Sequence, residues 1–140
     1  MHKESVDILV NAAGQVNSSI LARAELSDIS QTLRTNLEGA ILTSRALLRA
    51  SIRARTRTKD HQSVSSPDAT RPSKCIINIS SLLAEKGGAG AVTYAASKAG
   101  ILGLTRSLTV EASKSLRDVV IRSNVIVPGY IDTPMTSGIL

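Results

Sequence analysis

The chain has 140 residues, of which 42% are hydrophobic and 20% charged, and it carries a formal net charge of +6. That length fits one ordinary domain with a buried core, and the composition excludes disordered and collagen-like chains. It also excludes a helical membrane span, because no apolar run approaches the roughly 18 residues that one needs. The N-terminus has neither the charged nor the apolar region of a signal peptide, so a cytoplasmic protein is expected, with the mitochondrial matrix as the alternative. A single Cys and two distant His cannot form a closed zinc site, and no metal is expected. Cys75, at the start of an apolar run, reads as a small buried side chain.

The positive charge is concentrated in one place. Between Arg49 and Lys74 stand seven basic and two acidic residues, a net +5, which leaves +1 for everything else. The stretch "RARTRTKDHQSVSSPDATRPSK" lacks the interleaved aromatics that stack bases. A solvated, disordered insertion over about residues 53–73 is therefore expected, and nucleic-acid binding is not.

In chain order, "VDILV" (Val6 to Val10) reads as a strand buried on both faces, closed by the tight turn "NAAG". Ser27 offers an N-cap for a long helix whose apolar stripe is Leu33, Leu37, Ile41, Leu48 and Ile52. "CIINIS" (Cys75 to Ser80) is a second buried strand, and Gly87, Gly88 and Gly90 form a flexible link to a helix beginning near Thr93. "VVIRSNVIV" supplies a third strand, ended by Pro128 and Gly129, and "YIDTPMTSGIL" reads as a loop. Strand, helix, strand, helix, strand is the order of a parallel α/β sheet with right-handed crossovers.

Ligands of such sheets bind at the carboxyl ends of the strands, which directs attention to Asn11 to Gly14, Ser80 and Ser81, and Pro128 to Thr133. Tyr94 and Lys98 open the helix after the second strand four residues apart, hence on one helical face. An adjacent ammonium favours the phenolate form of a tyrosine, which suits Tyr94 to general acid/base work. An isolated Y-x-x-x-K is more often a packed ring beside a solvated lysine; Ser81 and Asn36 supply the context that raises this one. Ser81 stands at the carboxyl edge, within reach of the same substrate oxygen. Asn36 borders the apolar stripe of its helix, where a buried amide requires partners.

The segments "LVNAAG", "TNLEG", "IINISS", "YAASK" and "NVIVPGYIDTPM" occur in the order and, apart from one insertion, near the spacing of the classical short-chain dehydrogenase/reductases. The chain resembles the central part of that family. The resemblance implies a partial Rossmann-type, doubly wound parallel sheet as a single domain over 1–140, and a tetrad of Asn36, Ser81, Tyr94 and Lys98. Tyr94 would protonate a carbonyl oxygen that Ser81 polarises, Lys98 would hold the nicotinamide ribose, and Asn36 would anchor a water linking Lys98 to solvent. Asn11, Ala12, Ala13 and Gly14 would line the adenosine side of the cofactor. Pro128, Gly129, Ile131 and Thr133 would contact its nicotinamide end.

The wording is most similar to that of 3-oxoacyl-[acyl-carrier-protein] reductases and related carbonyl reductases. This implies NADP (alternatively NAD) and a small carbonyl or acyl-thioester substrate. The family's T-G-x-x-x-G-x-G loop does not occur in these residues, so a chain truncated at both ends relative to the family is expected, and with it a second reading as a non-catalytic fragment. Ala96, Gly100, Gly103 and Ser107 form a small-residue stripe on the Tyr94 helix, from which a homo-oligomer through that helix is expected.

Overall fold

The structure, a computed structural model, describes residues 5–59, 73–116 and 119–136. Three parallel strands, β1 (Ile8–Asn11), β2 (Ser73–Ile79) and β3 (Val120–Ile126), lie side by side in that order. Between β1 and β2 the chain forms α1 (Leu26–Leu33), a π-turn (Arg34–Glu38) and α2 (Gly39–Lys59). Between β2 and β3 come a short α3 (Leu83–Lys86) and the long α4 (Val92–Ser115). The β-branched run Ile76, Ile77 and Ile79 suits β2 to the centre of the sheet.

Alternation of side chains across the sheet separates two unlike faces. Leu9, Ile76 and Ser123 are neighbours in register on one face, and Ile8, Cys75 and Arg122 on the other. The first face is covered by α2 and α4, whose Leu47, Leu108, Ala112 and Leu116 enclose Ile76 and Ile121 in the core. On the second face Ile8 is 64% and Val10 53% exposed. The expectation that β1 is buried on both faces therefore fails, because both crossovers of the described residues lie on the same side. They build one of the two helical layers of a doubly wound sheet.

The long helix also differs from its expected stripe. Leu33, Ile41 and Ile52 are exposed, and the buried positions are Thr32, Asn36, Ala40, Ser44, Leu47 and Ser51. Small and polar side chains thus share the inward face with the single large Leu47. Glu25, not Ser27, occupies the N-cap, without a side-chain cap bond, and Ser27 lies inside the first turn. Arg53–Lys59 continue α2, and residues 60–72 of the expected insertion lie outside the described residues.

Ser123 projects onto the covered face beside Ile76, and its hydroxyl is buried without a hydrogen-bond partner. Such a group loses its hydration and gains nothing in return. Ser123→Ala is accordingly expected to raise stability by about 1 kcal/mol. Ile76→Ala, at a fully buried position of the central strand, is expected to cost about 2–5 kcal/mol. Urea unfolding checks both, and a Ser123→Ala midpoint at or below that of the parent chain contradicts the first.

Candidate active site

Two long helices bring the site together at the carboxyl edge. The π-turn inserts one extra residue per turn where Asn36 stands, rotating this residue inward to 2% exposure. Its amide is fully used. Asn36 Oδ1 accepts the Gln15 N–H (2.8 Å), while Nδ2 donates to Gln15 O (2.9 Å) and to Ser97 Oγ (3.0 Å). Ser97 Oγ in turn donates to Tyr94 O at 2.7 Å. A single side chain thus braces the end of the NAAG turn against the first turn of α4, which carries Tyr94 and Lys98.

Lys98 is 5% exposed, and its ammonium donates to Ile79 O at 2.9 Å. The Ser80 hydroxyl donates back to Lys98 O at 2.8 Å, and Asn78 Nδ2, two residues earlier on β2, reaches Thr105 Oγ1 at 2.9 Å. Three bonds at successive heights fix α4 along β2. The ammonium lies 5.7 Å from the centroid of the Tyr94 ring, within range of a cation–π contact. A Cβ added at Gly14 would stand 3.4 Å from Lys98 Nζ and 3.6 Å from Asn36 Oδ1, so this glycine touches both. Burial pushes the Lys98 amine below its ordinary value, since water is withdrawn from the charged form.

Tyr94, Lys98, Asn36 and Gly14 are therefore neighbours at this edge. Ser81 stands two residues past the end of β2, with its Oγ accepting the Leu83 N–H at 3.2 Å. The β3 loop is tied alongside, because the Leu82 N–H donates to Pro128 O at 2.8 Å. Among the cofactor candidates, Ala12, Ala13, Gly129, Ile131 and Thr133 are exposed, whereas the Asn11 side chain turns into the protein. Asn11 Nδ2 donates to Asn78 Oδ1 (2.7 Å), and Asn11 Oδ1 accepts from Thr43 Oγ1 (2.7 Å). Thr133 N–H donates to Thr136 Oγ1, which itself donates to Ile131 O. Sequence reasoning overlooked Ser97, Gln15 and Asn78. A serine in the first turns of an otherwise apolar helix was a readable signal; the bonds of Gln15 run through its backbone, which no residue type announces.

A parallel α/β domain whose strand-end loops meet a Tyr-Lys helix at one edge is the class defined by this geometry. The family profile described as short chain dehydrogenase matches residues 1–140. This chain belongs to the short-chain dehydrogenase family. It is 36% identical over 135 residues to a 3-oxoacyl-[acyl-carrier-protein] reductase of Rattus norvegicus, covering 96% of this chain and 48% of that protein. It is 38% identical over 136 residues to carbonyl reductase family member 4 of Danio rerio, with the same coverage of 96% and 48%. The crystal structure of a gluconate 5-dehydrogenase from Burkholderia cenocepacia, in complex with NADP and tartrate, superposes with a TM-score of 0.75 at 28% identity, covering 96% of this chain and 45% of that one. The chain thus spans about half the length of the curated relatives it matches.

The depressed Lys98 value has a consequence for stability. When the folded pKa lies below the unfolded one, the unfolded state binds more protons between the two values, and stability rises with pH across that window. The window for Lys98 ends at its ordinary value of 10.5. Relative to Lys98→Met, the parent chain is therefore expected to gain in Tm between pH 7.5 and about 10. Thermal melts of both proteins at the two pH values test this, and a Tm difference independent of pH contradicts it.

Proposed function

We propose that this chain carries the catalytic half of an NAD(P)H-dependent carbonyl reductase. The observation that carries this reading is the buried Lys98 ammonium, held by Ile79 O beneath the Tyr94 ring at the strand-end edge. An ammonium has three N–H donors, and Ile79 O takes one, leaving two for ribose hydroxyls. The donor set fits the nicotinamide-ribose end of the cofactor, which when bound supplies the hydride. Tyr94 donates its phenolic proton to the substrate carbonyl oxygen, and the adjacent Lys98 charge stabilises the phenolate left behind. The Ser81 hydroxyl donates a hydrogen bond to the same oxygen. Asn36 holds the NAAG turn and α4 at the spacing these steps require. The exposed backbone of Ala12, Ala13, Gly129 and Thr133 lies along the cofactor path.

The relatives named as 3-oxoacyl-[acyl-carrier-protein] and carbonyl reductases support a 3-oxoacyl thioester as substrate. The Burkholderia structure supports NADP over NAD. A free, buried Cys75 fits a reducing compartment such as the cytoplasm or the mitochondrial matrix. A homo-oligomer through α4 is favoured by the exposed Ala96, Gly103 and Ser107 beside exposed Leu33 and Ile41, although Gly100 already packs on the chain's own Leu37.

A second reading has its own support. Among the described residues, the open β1 edge and the exposed Ile8 and Val10 favour a chain that acts only by associating with a full-length relative. Titration with NADPH and NADH separates the two. Saturable binding by the folded chain is expected from the first reading, and none from the second. With 3-oxoacyl thioester as substrate, Tyr94→Phe is expected to lower turnover by about 100-fold or more while NADPH affinity stays within a few-fold. Unchanged turnover removes Tyr94 as the acid.

A further inference from the structure

The segment Asn17 to Ser19, the helix α1 and the N-terminus of α4 meet around a small cavity of about 10 Å³, outside the tetrad. Asn17, Ser19, Asp28, Thr32 and Thr93 give it polar walls, and Ala24, Ile29 and Gly90 complete the lining. Ser19 N–H donates to Gly90 O at 3.0 Å, closing one side. Gly90 has φ +73, and a Cβ there would stand 3.2 Å from Ser18 Oγ and 3.8 Å from Ser19 N, so a side chain at this position would be strained and crowded against the facing loop.

Thr32 lines this cavity with 1% of its surface exposed, and its hydroxyl is buried without a hydrogen-bond partner. That is unlike two threonines inside α4. Thr105 and Thr109 each donate to the carbonyl four residues earlier, at 2.8 and 3.2 Å. The same option within α1 is not taken at Thr32. A buried hydroxyl that forgoes the bond its own helix offers requires another partner.

We propose that one water molecule is bound in this cavity as a structural component, bonded to Thr32 Oγ1 and to polar groups of the facing loops. The volume matches a single water, and a cavity with polar walls and several donors and acceptors fills where an apolar one stays dry. The water joins α1 to the loop after the NAAG turn and to Thr93, the residue before Tyr94. The rim of the site is thereby made one unit with the helix that carries Asn36. No part of this depends on the chain being a reductase.

The experiment is Thr32→Val, which keeps the shape and deletes the hydroxyl. A bound water losing its anchor leaves its other partners unsatisfied, and Tm is expected to fall by about 5 °C. If the cavity is dry, Val relieves an orphan hydroxyl and Tm stays or rises, which overturns the proposal. Should the variant not fold, a crystal structure of the parent 140-residue chain decides. Density for a water within about 3.2 Å of Thr32 Oγ1 supports the site, and its absence overturns it.

Discussion

A charged ammonium sits almost out of water where α4 crosses the end of β2, and much of the molecule is arranged around keeping it there. Burying a charge is costly unless it is hydrogen-bonded, and Lys98 meets that demand with one backbone carbonyl, Ile79 O, at 2.9 Å. The carbonyl is available because it belongs to the last residue of the strand, where the ladder ends. Ser80 and Asn78 then hold the helix at the height that keeps the bond aligned. Desolvation, which depresses the Lys98 value, is also what makes the ammonium effective toward the Tyr94 ring, since field effects are stronger where water is excluded.

Around that point the structure trades apolar packing for polar precision. A seam of amides and hydroxyls runs from Thr43 through Asn11 and Asn78 to Thr105, crossing α2, β1, β2 and α4. Farther toward the amino ends of the strands, Leu47, Ile76, Leu108 and Ile121 form an ordinary apolar core. The molecule is thus stabilised at one end and specified at the other. Satisfied polar networks define a unique arrangement where apolar contacts would tolerate several. Asn36 extends the seam to the site: its inward rotation depends on the π-turn, and its three bonds convert a loop and a helix into one body.

The two faces of the sheet are in different conditions. One is covered and carries the site, while the other presents Ile8, Val10, Val120 and Ile126 to solvent. Exposed apolar strand residues beside an unpaired edge are a surface on which another segment pairs. The two functional readings differ only in what meets that surface and the cofactor phosphates. The helix that carries Tyr94 and Lys98 packs on the covered side, so the reductase reading and the open face are compatible within one chain.

The order of elements, the parallel sheet and the Tyr94–Lys98 pair were legible in the sequence because they depend on local patterns: β-branched runs, Gly and Pro breaks, and a four-residue helical spacing. What the sequence misplaced were features set by neighbours distant along the chain. Leu33, Ile41 and Ile52 have the periodicity of a core stripe, yet Thr32, Asn36, Ala40 and Ser44 face inward, because the packing of the layers sets which helix face is covered and periodicity alone does not report it. Ile8 and Val10 read as buried, and only the side on which the crossovers pass decides which strand face is covered. The sequence by itself determined the order of the elements and the four-residue spacing that sets Tyr94 and Lys98 on one helix. The tertiary structure decided that Asn36 and Ser97, 61 positions apart, are bonded, and that Lys98 is dry, because both are consequences of chain crossings and not of residue type.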